Sequence, residues 1–356
     1  MTVLVVSNEI LPVSTHHGAL ERLALGWALG LAQNERVVLG TFTHHRDLLV
    51  DDESANLRAW IDSPYEIDEL AHATDARAVL LHNRPTWVKY LSKPTVVILH
   101  NYSTAWRSPY EAYPTDTAEL HRTGLLYLGV SLPLLHHVQD ELQLPSDVVG
   151  HLPPYVDPIF ALQPTPPAPQ HRRLLFPNRI MTKKGVEATL RALDHCKDPT
   201  LAIDFVSNFS PNFEPDREQR ALVELINAHP RAALLPPAST PRATAALYGR
   251  SAGVITPSTE PEGFGLVPAE ALVLGVPTAC SSAGGLQELI SAGAHAVDVD
   301  DPESFARSLE VLAQSERRST QQRSESWERF SFERSMASLR YHLKRCISLS
   351  SEPRQG

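Results

Sequence analysis

The hydrophobic positions of this chain fall into short continuous apolar runs separated by longer amphipathic segments. In the first half, apolar runs of strand length lie at residues 3–7, 36–42, 78–82, 95–100, 126–131 and 148–152. The segment that begins at about Gly18 has helical spacing instead, with one apolar face formed by Leu20, Leu23, Ala24, Trp27 and Leu31. Strands that alternate with helices in this way predict a parallel, doubly wound α/β sheet.

The second half repeats this alternation. Its apolar runs lie at residues 174–176, 201–206, 232–235, 252–255, 278–281 and 296–301, and helices are predicted from Gly185, from about Pro268, and from about Ser324 to Ser348. A proline-rich run at residues 164–169 is typical of a stiff, extended linker. The pattern therefore predicts two Rossmann-like α/β domains, residues 1–163 and 164–325, followed by a C-terminal helical segment, residues 326–356.

Composition limits the class of protein. With 356 residues, 42% hydrophobic and 21% charged, the chain can bury the cores of two domains. No apolar run reaches the length of a membrane span, and the start has neither a basic leader nor a cleavage pattern, so we expect a cytoplasmic, unprocessed protein. The three cysteines, Cys196, Cys280 and Cys346, lack metal-ligand spacing and are expected to be reduced thiols.

The stretch from Thr256 to Pro277 carries the strongest candidate chemistry. Two carboxylates, Glu262 and Glu270, flank the sequence Gly263-Phe264-Gly265, and a short predicted strand precedes them. Glycine backbone N–H groups can approach a ligand closely, and the unpaired N–H groups of a following helix favour an anion. Glu262 in the loop and Glu270 in the first helical turn would accept hydrogen bonds from two sets of hydroxyl groups. Either carboxylate taken alone is about equally well explained as an ordinary solvated acid.

This stretch resembles the Glu-x7-Glu motif of retaining, nucleotide-sugar-dependent glycosyltransferases with two Rossmann-like domains facing a cleft, the GT-B architecture of the group 1 or family 4 type. The basic pair Arg179 and Lys184 and the later Gly284-Gly285 follow the same family pattern. The resemblance covers nearly the whole chain and is stronger after residue 170. It implies that the C-terminal helical segment packs back on the first domain.

The resemblance assigns roles to individual residues. It implies that Arg179 and Lys184 bind the diphosphate, that Glu262 contacts the transferred sugar and that Glu270 accepts from the ribose hydroxyls. Donor contacts are further implied for Gly18, Asn178, Gly263, Phe264, Gly265 and Leu266. Asn178 stands where the family often has glycine before its arginine. A solvated basic turn is the alternative for the Arg179–Lys184 segment.

In the first domain, the strands at 78–82 and 95–100 both end in Leu-His-Asn, which places His82 and His100 at carboxyl ends where open α/β sheets bind ligands. The resemblance implies that His100 contacts the transferred sugar, while His82 is as well explained by a structural role. His17 replaces the first glycine of a loop that in the family approaches acceptor and donor, so it either faces the acceptor or is plain solvated loop. The aromatic loop that contains Tyr102 and Trp106 is the predicted acceptor-binding segment.

Several other chemistries are weak or excluded. The Asp298-Val-Asp300 sequence has the form of a metal-diphosphate motif, but it lies late in the second half and precedes the helix cap predicted at Asp301-Pro302. We therefore predict no metal and no cofactor other than the donor. The first loop lacks the dinucleotide-binding glycine pattern, and neither a Walker motif nor a hydrolase triad is present. A nucleotide-sugar 2-epimerase and a non-catalytic nucleotide-sugar-binding subunit remain as alternatives.

Charge is unevenly divided along the chain. Residues 1–160 contain 10 Lys plus Arg against 19 Asp plus Glu, so this half holds the whole formal net charge of −9. Such a domain would repel nucleic acids and anionic membranes, and the basic amphipathic patch expected of a membrane-bound enzyme is missing. We therefore predict a soluble small-molecule or glycan acceptor, neutral or cationic, no nucleic-acid partner and no stable membrane anchor. The sequence does not indicate the oligomeric state.

Overall fold

The computed structural model describes residues 1–7, 18–44, 57–102, 117–169, 171–206, 216–238 and 240–350. The chain divides into two compact units. The first comprises residues 1–154 with 333–356, and the second comprises residues 155–332. Each unit contains a parallel sheet with helices, so the predicted α/β fold with two Rossmann-like sheets is confirmed.

In the first unit, the described residues form seven parallel strands in the order β3-β2-β1-β4-β5-β6-β7. These strands are β1 (Thr2–Val6), β2 (Arg36–Phe42), β3 (Arg58–Ile61), β4 (Ala76–His82), β5 (Thr95–Leu99), β6 (Leu125–Gly129) and β7 (Val149–His151). The helices between them are α1 (Ala19–Ala32), α2 (Ile67–Ala73) and α3 (Leu132–Glu141). The short edge strand β3 was not predicted, because Arg-Ala-Trp-Ile is too short and too polar to form an apolar run.

The central strands of this sheet are buried on both faces, as their continuous apolar sequences require. Every residue of β5 and β6 is buried. Trp27 of α1 is fully buried, and its indole nitrogen donates to the hydroxyl of Ser335 over 2.8 Å. This bond joins α1 to the C-terminal part of the chain within the same unit.

In the second unit, six parallel strands of the described chain follow the order β10-β9-β8-β11-β12-β13. They are β8 (Arg173–Phe176), β9 (Ala202–Val206), β10 (Ala232–Leu235), β11 (Gly253–Thr256), β12 (Thr278–Ser281) and β13 (His295–Val297). The helices of this unit are α4 (Pro158–Leu162), α5 (Val186–His195), α6 (Arg217–Ala228), α7 (Pro241–Arg250), α8 (Leu266–Leu274), α9 (Leu286–Ser291), α10 (Pro302–Gln314) and α11 (Thr320–Phe330).

The predicted linker at residues 164–169 belongs to the second unit, and the units divide at 154/155 rather than at the predicted 163/164. The guanidinium groups of two arginines, Arg317 and Arg323, donate hydrogen bonds to this proline run and to the residue before it. Arg323 donates to the carbonyl of Gln163 over 2.7 Å and to the hydroxyl of Thr165 over 2.7 Å. Arg317 donates to the carbonyl of Pro167 over 3.2 Å. A proline run whose polar groups accept hydrogen bonds from distant arginines is part of a packed domain. The composition of the run alone does not indicate this.

The predicted helix from about Ser324 to Ser348 is two helices, α11 and α12 (Phe332–Leu349), with extended backbone at Ser331 between them. The second dividing point of the chain lies at this break, at 332/333, rather than at the predicted 325/326. Residues 333–356 therefore belong to the first unit. Among the described residues, no helix is long and apolar enough to cross a membrane.

Helix α8 begins at Leu266, two positions before the predicted start at Pro268. Gly265 precedes it in the left-handed region with φ of 109°. Because of the earlier start, Glu270 is not in the first helical turn as predicted. All its residues from Pro268 to Leu274 are buried, so α8 has no polar face, and a carboxylate within it requires a specific partner.

Candidate active site

The loops that follow β8 and β11 meet at the carboxyl edge of the second sheet. The two strands are parallel neighbours, so their following loops leave the sheet side by side. The side-chain amide of Asn178 donates to the carbonyl of Ile255 over 2.8 Å, and the backbone N–H of Thr259 donates to the carbonyl of Lys183 over 3.0 Å. Asn178, predicted to contact the donor, thus ties the loop after β8 to strand β11 through its amide, and the bond from Thr259 to Lys183 joins the two loops.

Two glycines permit the close approach of the surrounding loops. Gly185 has φ of 82°, and a Cβ atom there would lie 1.9 Å from the carbonyl oxygen of Pro257. A Cβ atom on Gly285 would lie 2.4 Å from the carbonyl oxygen of Gly263. The backbone N–H of Gly285 also donates to the carbonyl of Glu262 over 2.7 Å. The loops after β8, β11 and β12 therefore converge on Glu262.

Lys184 and Glu262 form an ion pair at this convergence. The ammonium of Lys184 and the hydroxyl of Ser258 both donate to the same carboxylate oxygen, Oε1 of Glu262. The side chains of Lys184 and Glu262 are only 14% and 19% exposed. Ser258 is itself buried, and its carbonyl accepts a 2.6 Å hydrogen bond from Ser281. The predicted basic and acidic residues are thus brought together in a partly desolvated place.

The electrostatics of the pair favour an ionised Glu262. Burial by itself would raise the pKa of this carboxyl group, but the charge and hydrogen bond of Lys184, the hydrogen bond of Ser258 and the charge of Arg179 lower its pKa below the ordinary value. Arg179 is exposed, whereas Lys184 is not. The two predicted cations therefore differ, because Lys184 is held in a partly buried ion pair whereas Arg179 is open to solvent.

The segment from Gly263 to Leu266 has two separate roles in the structure. Gly265 takes a left-handed conformation that leads into the first residue of α8, Leu266. Phe264 is buried, and its ring packs edge-on against Phe330 with the ring centres 5.7 Å apart. The Phe264 side chain thus anchors the loop to α11, which leaves backbone groups as its means of contact with a ligand.

Glu270 is 4% exposed, and its Oε2 accepts a hydrogen bond of 3.0 Å from the phenol hydroxyl of Tyr248 on α7. Tyr248 is 1% exposed and packs against the ring of Phe160 on α4. Both members of the Glu-x7-Glu pair therefore accept from a hydroxyl donor, Ser258 of the same loop for Glu262 and Tyr248 of α7 for Glu270.

In the first unit, His82 and His100 form a buried pair at the carboxyl ends of β4 and β5. Nδ1 of His82 and Nε2 of His100 lie 2.9 Å apart, and the backbone N–H of His100 donates to Oδ1 of Asn83 over 2.8 Å. Trp27 stacks on the His82 ring at a centroid distance of 6.0 Å and contacts His100 at 5.7 Å. Among the described residues, Nε2 of His82 has no hydrogen-bond partner. His82 is thus tied directly to the predicted sugar-contacting residue.

Burial keeps both imidazoles neutral, which predicts acid destabilisation of the first unit. Desolvation by burial lowers the pKa of His82 to about 3. The pKa of His100 is lowered well below 6.5, first by desolvation and then by the charge that His82 carries when it is protonated. The unfolded chain binds these protons at about pH 6.5, so stability is present above that pH and decreases as pH falls from there toward 3, by about 1.4 kcal/mol per pH unit for each histidine. Replacing His82 with glutamine should flatten this slope in chemical denaturation between pH 7.5 and pH 4.5. The control is His136→Gln, which replaces an exposed histidine of α3. If the free energy of unfolding has the same dependence on pH in the wild type and in both variants, the prediction is contradicted.

The remaining predicted contacts are less enclosed. Gly18 precedes α1 as its N-cap in extended conformation. Tyr102 packs against His137 of α3 with ring centres 4.8 Å apart, and burial raises the pKa of its phenol. His17 and Trp106 lie outside the described residues, so their predicted acceptor contacts stay predictions.

The Asp-x-Asp sequence has the structural role expected for it. The backbone N–H of Asp300 donates to Asp298 over 3.1 Å, and Asp301 caps α10 by accepting from Glu303 and Ser304. The predicted strand at 296–301 ends earlier, at Val297, because this turn begins there. Within the described ranges, no group of three or more His, Cys, Asp or Glu side chains is placed to hold a metal ion. A metal-independent reaction stays a prediction.

Sequence reasoning missed two hydroxyl donors, Ser258 and Tyr248. Ser258 lies four residues before Glu262 in the same loop, a spacing that was available as a signal. Tyr248 lies 22 residues before Glu270 and, in sequence, is one more apolar position of an amphipathic helix. Only the packing of α7 on α8 shows that its hydroxyl reaches a carboxylate.

Residues 162–328 match the family model described as glycosyl transferases group 1. A curated relative, D-inositol 3-phosphate glycosyltransferase from Xylanimonas cellulosilytica, is 30% identical over 141 residues. That alignment covers 39% of this chain and spans only a third, 33%, of the relative's length. The family match covers most of the second unit, including the loops around Glu262.

Solved structures share the fold of nearly the whole chain. A glycosyltransferase from Rickettsia africae superposes with a TM-score of 0.77 at 18% identity, over 97% of this chain and 98% of that one. Anabaena HepE in complex with UDP has a TM-score of 0.72 at 14% identity, over 97% and 100% of the chains. Sucrose-phosphate synthase from Thermosynechococcus elongatus has a TM-score of 0.72 at 15% identity, over 98% and 100%. At these identities the similarity establishes the fold.

Proposed function

We propose that this chain acts as a group 1 glycosyl transferase of GT-B architecture, a proposal supported by the family match of residues 162–328 and by the fold shared with solved structures. It transfers a sugar from a nucleoside-diphosphate sugar to a hydroxyl group of a soluble small molecule or glycan, with retention of anomeric configuration and without a metal. The observation that carries this proposal is the partly buried Lys184–Glu262 pair at the junction of the loops after β8 and β11.

The pair suits a diphosphate leaving group. Lys184 is held in a partly desolvated place, where a positive charge stabilises developing negative charge more strongly than it does in water. Arg179 is exposed nearby and can add the planar fork that binds phosphate oxygens. We infer that the diphosphate takes Lys184 from Glu262 when the donor binds. The released carboxylate then accepts hydrogen bonds from the sugar hydroxyls.

Glu262 is proposed as a sugar-binding group rather than a covalent nucleophile. Its Oε1 accepts from the hydroxyl of Ser258, a bond that does not depend on Lys184, so this oxygen stays fixed in direction when Lys184 turns to the diphosphate. In the retaining reaction that we propose, the acceptor hydroxyl attacks the face from which the diphosphate leaves, and a phosphate oxygen removes its proton. The contact of His100 with the transferred sugar stays a prediction.

The experiment that tests the proposal is nucleotide release from a panel of nucleotide sugars, measured with and without candidate acceptors. Nucleotide release that depends on the acceptor, with a product whose new glycosidic bond has the same anomeric configuration as the donor, supports a retaining transferase. Conversion of the donor without release indicates the 2-epimerase. Saturable binding with neither reaction indicates a binding subunit, and an inverted linkage contradicts retention.

The acceptor class is proposed from charge. Because the formal charge of −9 resides in residues 1–160, we expect neutral or cationic acceptors, such as amino sugars or aminocyclitols, to react faster than phosphorylated ones. Co-sedimentation with vesicles that contain anionic lipid should recover no protein at 0.1 M salt. Strong binding that decreases with salt would contradict a soluble acceptor.

A further inference from the structure

The carboxylate of Glu270 is held by a phenol from a different helix. Glu270 lies in the apolar helix α8, where an isolated carboxylate is costly to bury. The hydrogen bond of 3.0 Å from Tyr248 to Oε2 both satisfies that oxygen and limits the rotation of the side chain. A carboxylate has about four acceptor positions, and the bond from Tyr248 occupies one of them.

The position of Tyr248 is itself fixed from several sides. Its ring is 1% exposed and contacts Phe160 of α4 at a centroid distance of 5.9 Å. The carbonyl of Tyr248 accepts a hydrogen bond of 2.8 Å from the hydroxyl of Ser251, and the carbonyl of Ser251 accepts one of 2.9 Å from Arg317. The end of α7 is thus closed by Ser251 and bonded to the segment that contains Arg317, and the phenol has little freedom to move away from Glu270.

We propose that Tyr248 is a positioning residue that orients Glu270 toward the ribose of the bound nucleotide. It thereby sets the preference of the site for nucleotides that carry the ribose hydroxyls over their dideoxy forms. This inference rests on the proposed function, in which Glu270 accepts from those hydroxyls. A site built to accept hydrogen bonds from a hydroxyl discriminates strongly against an analogue that lacks it, provided the acceptor is held in one place. Tyr248 supplies that constraint, and Glu270 supplies the contact.

The test is a comparison of dissociation constants for UDP, GDP, ADP, CDP and dTDP and for the 2′,3′-dideoxy form of whichever binds most tightly. Measurements on the full chain compare the wild type, Tyr248→Phe, Glu270→Gln and the control Tyr341→Phe, an exposed tyrosine in the first unit. Removing the hydroxyl of Tyr248 should raise Kd for the tightest-binding nucleotide by about tenfold. The Kd for the dideoxy form of that nucleotide should change by less than about twofold, because this ligand makes no hydroxyl contact with Glu270.

Each outcome decides the question. An equal rise for both forms in Tyr248→Phe shows a general structural effect and overturns the positioning role. If Tyr248→Phe leaves both dissociation constants unchanged while Glu270→Gln raises Kd only for the nucleotide with ribose hydroxyls, the positioning role of Tyr248 is overturned and the ribose contact of Glu270 is kept. If neither variant changes the ratio of the two constants, or if the wild type binds none of the five nucleotides, the ribose contact in the proposed function fails as well.

Discussion

Replacing Lys184 with alanine is expected to lower kcat/KM for sugar transfer by about 10²–10³-fold, because a preorganised charge at the leaving group is lost. The change also leaves the carboxylate of Glu262, which is only 19% exposed, without its counter-charge. Truncating one partner of such a desolvated pair typically costs about 2–5 kcal/mol. Arg179→Ala should have a smaller effect, about 10-fold to 10²-fold, because this side chain is exposed and its charge is better screened by solvent.

The matched control for Lys184→Ala is Lys183→Ala. Lys183 is adjacent and exposed, and it contacts the second loop through its backbone carbonyl, which accepts from Thr259 and survives the substitution. We expect kcat/KM of this variant to stay within about twofold of the wild type, as is usual for an exposed charge. Steady-state kinetics with the best nucleotide sugar measure both variants. Wild-type kcat/KM in a folded Lys184→Ala protein would remove Lys184 from the proposed diphosphate site.

Local patterns in the sequence predicted most strands, because buried parallel strands are continuous apolar runs that need no knowledge of their neighbours. The runs at 36–42 and 232–235 coincide with β2 and β10. The proline run at 164–169 instead lies inside the second unit, where it is bonded to Arg317 and Arg323, and these contacts with residues far along the chain cannot be read from its composition. The break at Ser331 was missed because the sequences on both sides of it are helical.

The candidate site shows the same division between local and long-range information. The Glu-x7-Glu spacing directed attention to Glu262, at which three loops meet, and to Glu270, which is buried in α8, and their predicted ligand contacts stay predictions. Their hydroxyl partners and the pairing of His82 with His100 depend on which helices and strands become neighbours, and a one-dimensional pattern does not contain that information. The burial of Glu270 likewise depends on the elements packed around α8, such as α7 with Tyr248, which the local sequence does not contain.

Gly185→Ala should be the most damaging single-methyl change in the second unit. The new Cβ atom would lie 1.9 Å from the carbonyl oxygen of Pro257, a backbone atom that cannot rotate away. Gly185 also has φ of 82°, where a residue with a side chain is strained by about 1–2 kcal/mol. Overpacking of this kind adds about 1–3 kcal/mol, so the free energy of unfolding should fall by roughly 2–5 kcal/mol.

The same substitution should impair the site more than it impairs the fold, because relief of the clash requires the loop after β8 to move away from the loop after β11. That movement separates Lys184 from Glu262 and breaks the hydrogen bond from Thr259 to Lys183. Gly249→Ala is the control, since that glycine lies in α7 without a positive φ and its Cβ would meet only side-chain carbons of Pro166, at 3.1 Å. Chemical denaturation and nucleoside-diphosphate binding are measured on both variants. If Gly185→Ala is as stable as Gly249→Ala and binds the nucleotide equally well, the two loops are not in the contact on which the proposed diphosphate site depends.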